Sequence, residues 1–212
     1  MSESPKVDGF AGGSGVGKRQ ILHCAMLTGV MCLVWFIQIR LIYPVEASVR
    51  GEGLVDVFSL VFLPHGFKVI LLSLMPVTGF LPVVFAQVIA TIYLGSDSSM
   101  VFVMAVGLLA AFACVMPIWM VNLVMGRPWY KSPLVNSPVD FNSFRFMLAL
   151  VFVAALLNAI VMSLMSNATA TSPLPIEVVV GFVAGDLIGG CFVLICFAFL
   201  GNRLLERLNY GR

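Results

Sequence analysis

Two charged residues, Lys68 and Asp186, each lie inside a long apolar stretch of the sequence. A charge at membrane depth is costly, so such a residue usually faces a partner or a water-filled cavity. His65 lies three positions before Lys68, and on a helix the two would share a face. These three side chains define a candidate polar site. Lys68 could bind an anionic group, Asp186 could hold Lys68, and His65 could donate or accept a hydrogen bond.

Glycines accompany the three polar residues. Pro64 and Gly66 are expected to break a helix, and the backbone groups freed by a break must be satisfied by protein or by cavity water. Gly185 and Gly189 flank Asp186, where small residues let another helix approach closely. We therefore include Gly66, Gly185 and Gly189 in the candidate site.

Two structural interpretations compete with a ligand site. In the first, residues 64–66 form a simple kink, and Lys68 extends its ammonium to the outer surface. Lys68 lies about 16 Å below the expected outer edge at the rise of a helix, which is far for that side chain to reach. In the second, Lys68 and Asp186 form a buried ion pair that only locks two helices together. We expect the two residues to be partners at one depth, in direct or water-bridged reach.

Four uncharged polar residues also fall in apolar stretches. They are expected to form hydrogen bonds across helices, as amide side chains commonly do inside membranes. These residues are Gln38, Gln87, Asn122 and Asn158.

The composition requires lipid to solvate most of the chain. Its 212 residues are 60% hydrophobic and 10% charged, and the mean hydropathy is +1.05. Soluble domains typically carry about 25% charged residues. We expect a lipid bilayer around the chain and no separate soluble catalytic domain. The net charge of +2 is small and spread out, which argues against a nucleic-acid partner.

Neither a cofactor nor an enzymatic activity is expected. The five cysteines lie in apolar stretches, with no spacing typical of a metal site. Residues 12–18 match a phosphate-binding loop, but Arg19 stands where a Mg²⁺-binding hydroxyl should follow, and no strand precedes the segment. His23 and His65 are the only histidines, and no set of nucleophile, base and orienting residue is visible.

Six apolar stretches approach the length of about 20 residues that a membrane-spanning helix needs. The predicted fold is an all-α, polytopic membrane bundle of about six helices, with the second helix broken near Pro64 and Gly66. We expect a flexible cytoplasmic tail over residues 1–19, a membrane domain over 20–200 and a short amphipathic cytoplasmic tail over 201–212. The expected spans are 20–43, 57–76, 79–95, 100–125, 145–166 and 176–200. Most Lys and Arg residues then fall on the side of the two termini, which predicts cytoplasmic termini.

Two parts of the sequence resemble the membrane-associated sensor (MASE-type) domains of bacterial signalling proteins. The first part, residues 55–95, has the segment 62–66, a short helix and the segment 79–82; the second, residues 178–200, has the pattern Gly185, Asp186 and Gly189. In three respects the chain departs from that family: one residue separates Pro64 from Gly66, Lys68 replaces an apolar residue, and no kinase or cyclase domain follows. The resemblance implies a sensory or ligand-binding module of the bacterial inner membrane.

Three functions fit this sequence. The first is a sensory or ligand-binding module that acts through a partner protein, either a different membrane protein or further copies of the chain. The second is a small transporter, or the substrate-binding subunit of one, using the same polar residues for a small anionic ligand. The third is an accessory subunit of a membrane complex, in which the polar residues only order the helices.

Overall fold

The computed structural model of the chain describes residues 13–50, 59–94, 99–133, 141–169 and 175–209. Within these ranges the chain is helical and contains no strand, which confirms the predicted all-α membrane bundle. The elements are α1 (Gly13–Ile37), a π-helical turn (Gln38–Ile42), α2 (Tyr43–Arg50), α3 (Leu63–Leu74), α4 (Phe80–Tyr93), α5 (Met100–Val124), α6 (Phe141–Thr169) and α7 (Ile176–Asn209).

Four of the helical stretches are long and apolar enough to cross a bilayer: Lys18–Val49, Met100–Val124, Phe144–Met165 and Ile176–Leu200. Helices α3 and α4 have only 12 and 14 residues. At the helical rise they are about 18 and 21 Å long, shorter than the hydrocarbon core of about 30 Å. Two of the six predicted spans are therefore short helices.

The first helical stretch runs further than predicted at both ends. Residues 13–19, expected in a flexible tail, begin α1, so the glycine-rich segment is helical from Gly13 on. The helix was expected to end near Tyr43, but it continues through a π-helical turn into α2. Pro44 lacks an amide and would clash with the carbonyl four residues earlier. The wider turn before it lets the helix continue, with the Tyr43 amide bonded to the Gln38 carbonyl.

The second predicted span is interrupted near Pro64, as expected, and the interruption lies just before that residue. Residues 59–62 are not helical, and α3 begins at Leu63 with Pro64 in its first turn. Proline is favoured there because its missing amide would have no helical partner. Gly66 is an ordinary helical residue of α3. Residues 57–58, which were expected to be helical, lie outside the described residues.

Helix α3 lies at the centre of the bundle, in contact with α1, α5, α6 and α7. The outer helices pack in sequence, with α4 between α1 and α5, and α6 between α5 and α7. Nine of the 12 residues of α3 are buried, including His65 and Lys68. The polar residues of α3 are thus enclosed by protein rather than by lipid.

The two predicted tails are described only in part. Residues 1–12 and 210–212 lie outside the described ranges. Residues 201–209, expected in a separate amphipathic segment, continue α7 without a break.

Candidate functional site

The buried polar residues gather around α3, and six helices each contribute to one cluster. Lys68 and His65 come from α3, and the residues around them come from five other helices: Trp35 of α1, Gln87 of α4, Cys114 of α5, Asn158 of α6 and Asp186 of α7. All seven side chains are buried. We call these seven residues the polar cluster.

One half of the polar cluster surrounds the carboxyl group of Asp186. Asn158 Nδ2 donates a hydrogen bond of 2.8 Å to Asp186 Oδ2, and His65 Nδ1 lies 3.2 Å from the same oxygen. Cys114 Sγ is 3.9 Å from the same His65 nitrogen. Within the described part of the chain, His65 Nε2 and Asn158 Oδ1 have no hydrogen-bond partner, although His65 faces the backbone of Val151.

The other half of the polar cluster surrounds the ammonium of Lys68. Its Nζ donates a hydrogen bond of 2.8 Å to Gln87 Oε1. The rings of Phe62 and Trp35 lie 5.8 and 6.0 Å from Nζ, at the outer range of a cation–π interaction. The two rings pack edge to face against each other, with centroids 5.2 Å apart. An ammonium group is thus held by one neutral amide and two aromatic rings.

Lys68 and Asp186 form no direct ion pair, which was one of the two forms of pairing that we expected, and a water-bridged pairing stays a prediction. The structure brings them into one buried cluster, and their charges act on each other there. Each is nevertheless bound to different neutral side chains: Gln87 for the lysine, and Asn158 and His65 for the aspartate. The two amides come from different helices, Gln87 from α4 and Asn158 from α6. Lys68 is 2% exposed, so it does not extend to the surface either.

The non-helical segment 59–62 packs against α7 at two glycines of the candidate site. The Phe62 amide donates a hydrogen bond of 3.0 Å to the Gly185 carbonyl. A Cβ atom on Gly185 would lie 1.9 Å from the Ser59 carbonyl oxygen, and one on Gly189 would lie 2.3 Å from that of Phe62. These glycines therefore make room for the backbone of a non-helical segment, whereas the prediction was the close approach of a helix.

Gly66 was expected to help break a helix, but within α3 it allows close helix packing instead. A Cβ atom there would lie 2.7 Å from the Gly190 Cα, so α3 and α7 approach each other at paired glycines. This contact places the first turn of α3 beside Asp186 and brings His65 to the carboxyl group.

A second polar network satisfies the backbone of the segment 59–62. Glu46, which is 7% exposed, accepts hydrogen bonds from the amides of Leu60 (3.1 Å) and Val61 (2.8 Å) and from the Ser59 hydroxyl (2.9 Å). Gln38 donates to the same hydroxyl (3.1 Å) and accepts from the Leu63 amide (3.0 Å). Unsatisfied backbone groups are expensive inside a membrane, so α2 and the π-helical turn together make the non-helical segment tolerable.

Three of the four predicted cross-helix hydrogen bonds are confirmed: Gln38, Gln87 and Asn158 each reach another element. Asn122 instead donates to the carbonyls of Trp129 and Lys131, in the turn that follows its own helix. Glu46 was not among the predicted site residues, because an acidic residue near a helix end is typical of a surface position. Proline two positions before it was the available signal, since it predicts a local change of helix geometry.

The polar cluster is better suited to a charged or hydrogen-bonding ligand than to a metal ion. Among the described residues, no three His, Cys, Asp or Glu side chains are arranged to hold a metal. The ammonium of Lys68 would also oppose a cation. The cluster offers a positive charge at Lys68 and a carboxyl group at Asp186.

Comparisons of the chain with protein families, with characterised proteins and with solved structures gave no match. The resemblance to sensor domains therefore rests on the motif residues alone. Of that motif, Asp186 belongs to the polar cluster, and Gly185 packs against the segment 59–62.

Proposed function

We propose that this protein is a membrane-embedded sensory or ligand-binding module of the bacterial inner membrane, that it binds a small anionic ligand at Lys68, and that it acts through a partner protein. One observation carries the proposal: a fully buried lysine has no carboxylate in contact with it among the described residues. Burying an ammonium costs several kcal/mol, and a hydrophobic residue of similar volume is often the more stable choice. Retaining the charge at this cost favours a role in binding.

A transporter, or the substrate-binding subunit of one, is the second candidate. The observation that favours it is the non-helical segment beside the polar cluster, because many transporters bind substrate where a helix is interrupted near the bilayer midplane.

An accessory subunit, in which the cluster only orders the helices, is the third candidate. An accessory role predicts that no anion binds at Lys68, whereas the other two functions require such binding.

A binding experiment tests the proposal. The protein in lipid nanodiscs is titrated with benzoate, acetate and chloride, and binding is followed by calorimetry. We expect saturable binding that disappears in Lys68→Met. Lys131→Met is the matched control, because it removes a lysine charge from an exposed turn. Absence of binding for all three anions, with a folded protein, would favour the accessory role.

Uptake measurements separate the two binding functions. Proteoliposomes containing the protein are mixed with radiolabelled benzoate, under an inward proton gradient and without one. A binding module retains the anion at no more than one equivalent per chain, whereas a transporter accumulates it catalytically. Uptake that exceeds binding and is lost in Lys68→Met would replace the sensory proposal with transport.

A further inference from the structure

The ionised polar cluster has no net charge before any ligand arrives. Lys68 contributes one positive charge and Asp186 one negative charge, and the two act on each other without touching. The titratable or charged groups that interact with Asp186 from the elements around it are Tyr43 of α2, His65 and Lys68 of α3, and Cys114 of α5, and Glu46 of α2 interacts with Tyr43. The described residues that α1, α4 and α6 bring to the cluster, Trp35, Gln87 and Asn158, do not titrate.

An anion at Lys68 would leave this buried cluster with one excess negative charge. In a medium of low dielectric constant, such an excess is unfavourable unless a counter-charge enters with it. A new cation would have to approach the ammonium, whereas a proton can bind at Asp186. The carboxyl group already lies 3.2 Å from His65 Nδ1, which can accept a hydrogen bond from a protonated carboxyl group.

We propose that the site binds one anion and one proton together, the anion at Lys68 and the proton at Asp186. This inference rests on the proposed binding of an anion. The proton comes from water, converts the Asp186 carboxylate into a carboxylic acid and leaves the cluster neutral with the anion bound. The incoming proton forms an N–H bond at Nε2 of the neutral His65 while the Nδ1 proton passes to Asp186 Oδ2, so one N–H bond forms, one breaks and one O–H bond forms. His65 positions the proton, and Asn158 keeps its hydrogen bond to the same oxygen.

The surroundings of Lys68 also indicate the class of anion. Phe62 and Trp35 lie within 6.0 Å of the ammonium, so part of a ligand that reaches Nζ would meet aromatic surface. A monocarboxylate with an apolar or aromatic body has the matching chemistry, because its charge is at one end. Benzoate is a suitable probe, and benzamide is its uncharged counterpart of nearly the same shape.

Linkage gives the proposal a quantitative test. Where Asp186 is ionised in the free protein and protonated in the complex, the dissociation constant of the anion should rise about tenfold for each unit of increasing pH. Benzoate binding is therefore titrated in nanodiscs between about pH 5 and 8, a range in which few unperturbed side chains other than histidine titrate. We expect this dependence for the unaltered chain and no binding of benzamide.

Variants assign the proton to a residue. Asp186→Asn imitates the protonated carboxyl group, so its benzoate affinity should be tight and independent of pH. Glu177→Gln is the matched control, because it removes an exposed carboxylate from the first turn of α7 and should retain the dependence. An Asp186→Asn protein with the same pH dependence as the unaltered chain would overturn the proposal.

A measurement on the unaltered chain covers the case in which Asp186→Asn does not fold. Calorimetric titrations with benzoate in two buffers of different ionisation enthalpy count the protons taken up on binding, and about one proton per benzoate is expected. Binding of benzoate without proton uptake would overturn the coupling but leave the proposed function intact. Failure of benzoate, acetate and chloride to bind at any pH would overturn the proposed function itself.

Discussion

Lys68 is stabilised by neutral groups in place of a counter-ion. Hydrogen bonds to charged groups contribute about 1.5–3 kcal/mol, and a desolvated cation–π contact contributes about 2 kcal/mol. Gln87, Phe62 and Trp35 together offset much of the cost of burying the ammonium. These three side chains carry no negative charge, so the positive charge of Lys68 remains available to an anion.

The hydrogen bond between Lys68 and Gln87 can be tested by a double-mutant cycle. Gln87→Leu removes the amide acceptor of a buried ammonium, so we expect it to lower the free energy of unfolding by about 1–3 kcal/mol. Adding Lys68→Met removes the charge as well, and the double variant should recover much of the loss. Thermal unfolding in detergent measures all three variants. Additive effects of the two substitutions would contradict the contact.

The sequence identified the charged members of the polar cluster but not their partners. Lys68, His65 and Asp186 stand out because a charge in an apolar stretch is a local signal. That Gln87 binds the lysine and Asn158 the aspartate depends on which helices meet, and one sequence does not contain that information. For this reason the sequence could place Lys68 and Asp186 in one buried cluster, but it could not predict that other side chains hold each of them.

At the scale of elements, the interruption before α3 is the feature that organises the site. Proline and glycine near residue 64 correctly predicted an irregularity, because both residues perturb helices in a known way. The interruption lies just before Pro64, since proline in a first turn begins a helix instead of breaking one. The acceptor that makes the interruption tolerable, Glu46, lies in a distant part of the chain.

Two glycines of α7 are predicted to be indispensable to the segment 59–62. Gly185→Ala would bring a methyl group within 1.9 Å of a backbone carbonyl oxygen, and Gly189→Ala would do so within 2.3 Å. We expect each to destabilise the protein by at least about 1–3 kcal/mol, the usual cost of overpacking. Gly29→Ala is the control, with nothing within 4 Å of the added atom, and it should stabilise α1 by about 0.5–1 kcal/mol. Equal melting temperatures for all three variants would exclude this role.

Glu46 is predicted to hold the same segment through its backbone amides. In Glu46→Gln, an amide nitrogen can take the place of the oxygen that accepts from Leu60, so one partly buried amide would lose its acceptor. We expect faster hydrogen exchange at Leu60 and Val61 and a loss of about 1–3 kcal/mol in stability. Glu177→Gln serves as the control, and exchange at residues 60–61 should not change there. Unchanged protection of the Leu60 and Val61 amides from hydrogen exchange in Glu46→Gln would argue against this role of Glu46.

At the scale of the whole molecule, the two short helices decide how the chain crosses the membrane. Helix α3 is about 18 Å long, and the non-helical segment 59–62, with bends at residues 60 and 61, precedes its first turn. The C-terminal end of α3 is fixed by a hydrogen bond of 2.7 Å from the Ser132 hydroxyl to the Ser73 carbonyl. Ser132 belongs to the turn after α5, so the α3–α4 connection lies at the same side as that turn.

The basic residues predict that this side is cytoplasmic. Single cysteines introduced by Val77→Cys, in the exposed α3–α4 connection, and by Lys131→Cys should react with a membrane-impermeant maleimide in inverted vesicles only. Glu177→Cys, at the start of α7, should react in intact spheroplasts only, and a reporter fused after Arg212 should read as cytoplasmic. The parent chain is the control, because its five cysteines remain in all variants.

If Val77→Cys reacts from the side of Glu177→Cys, then α3 and α4 do not cross the membrane. If all three sites exchange sides, the predicted orientation is reversed while the bundle itself stands.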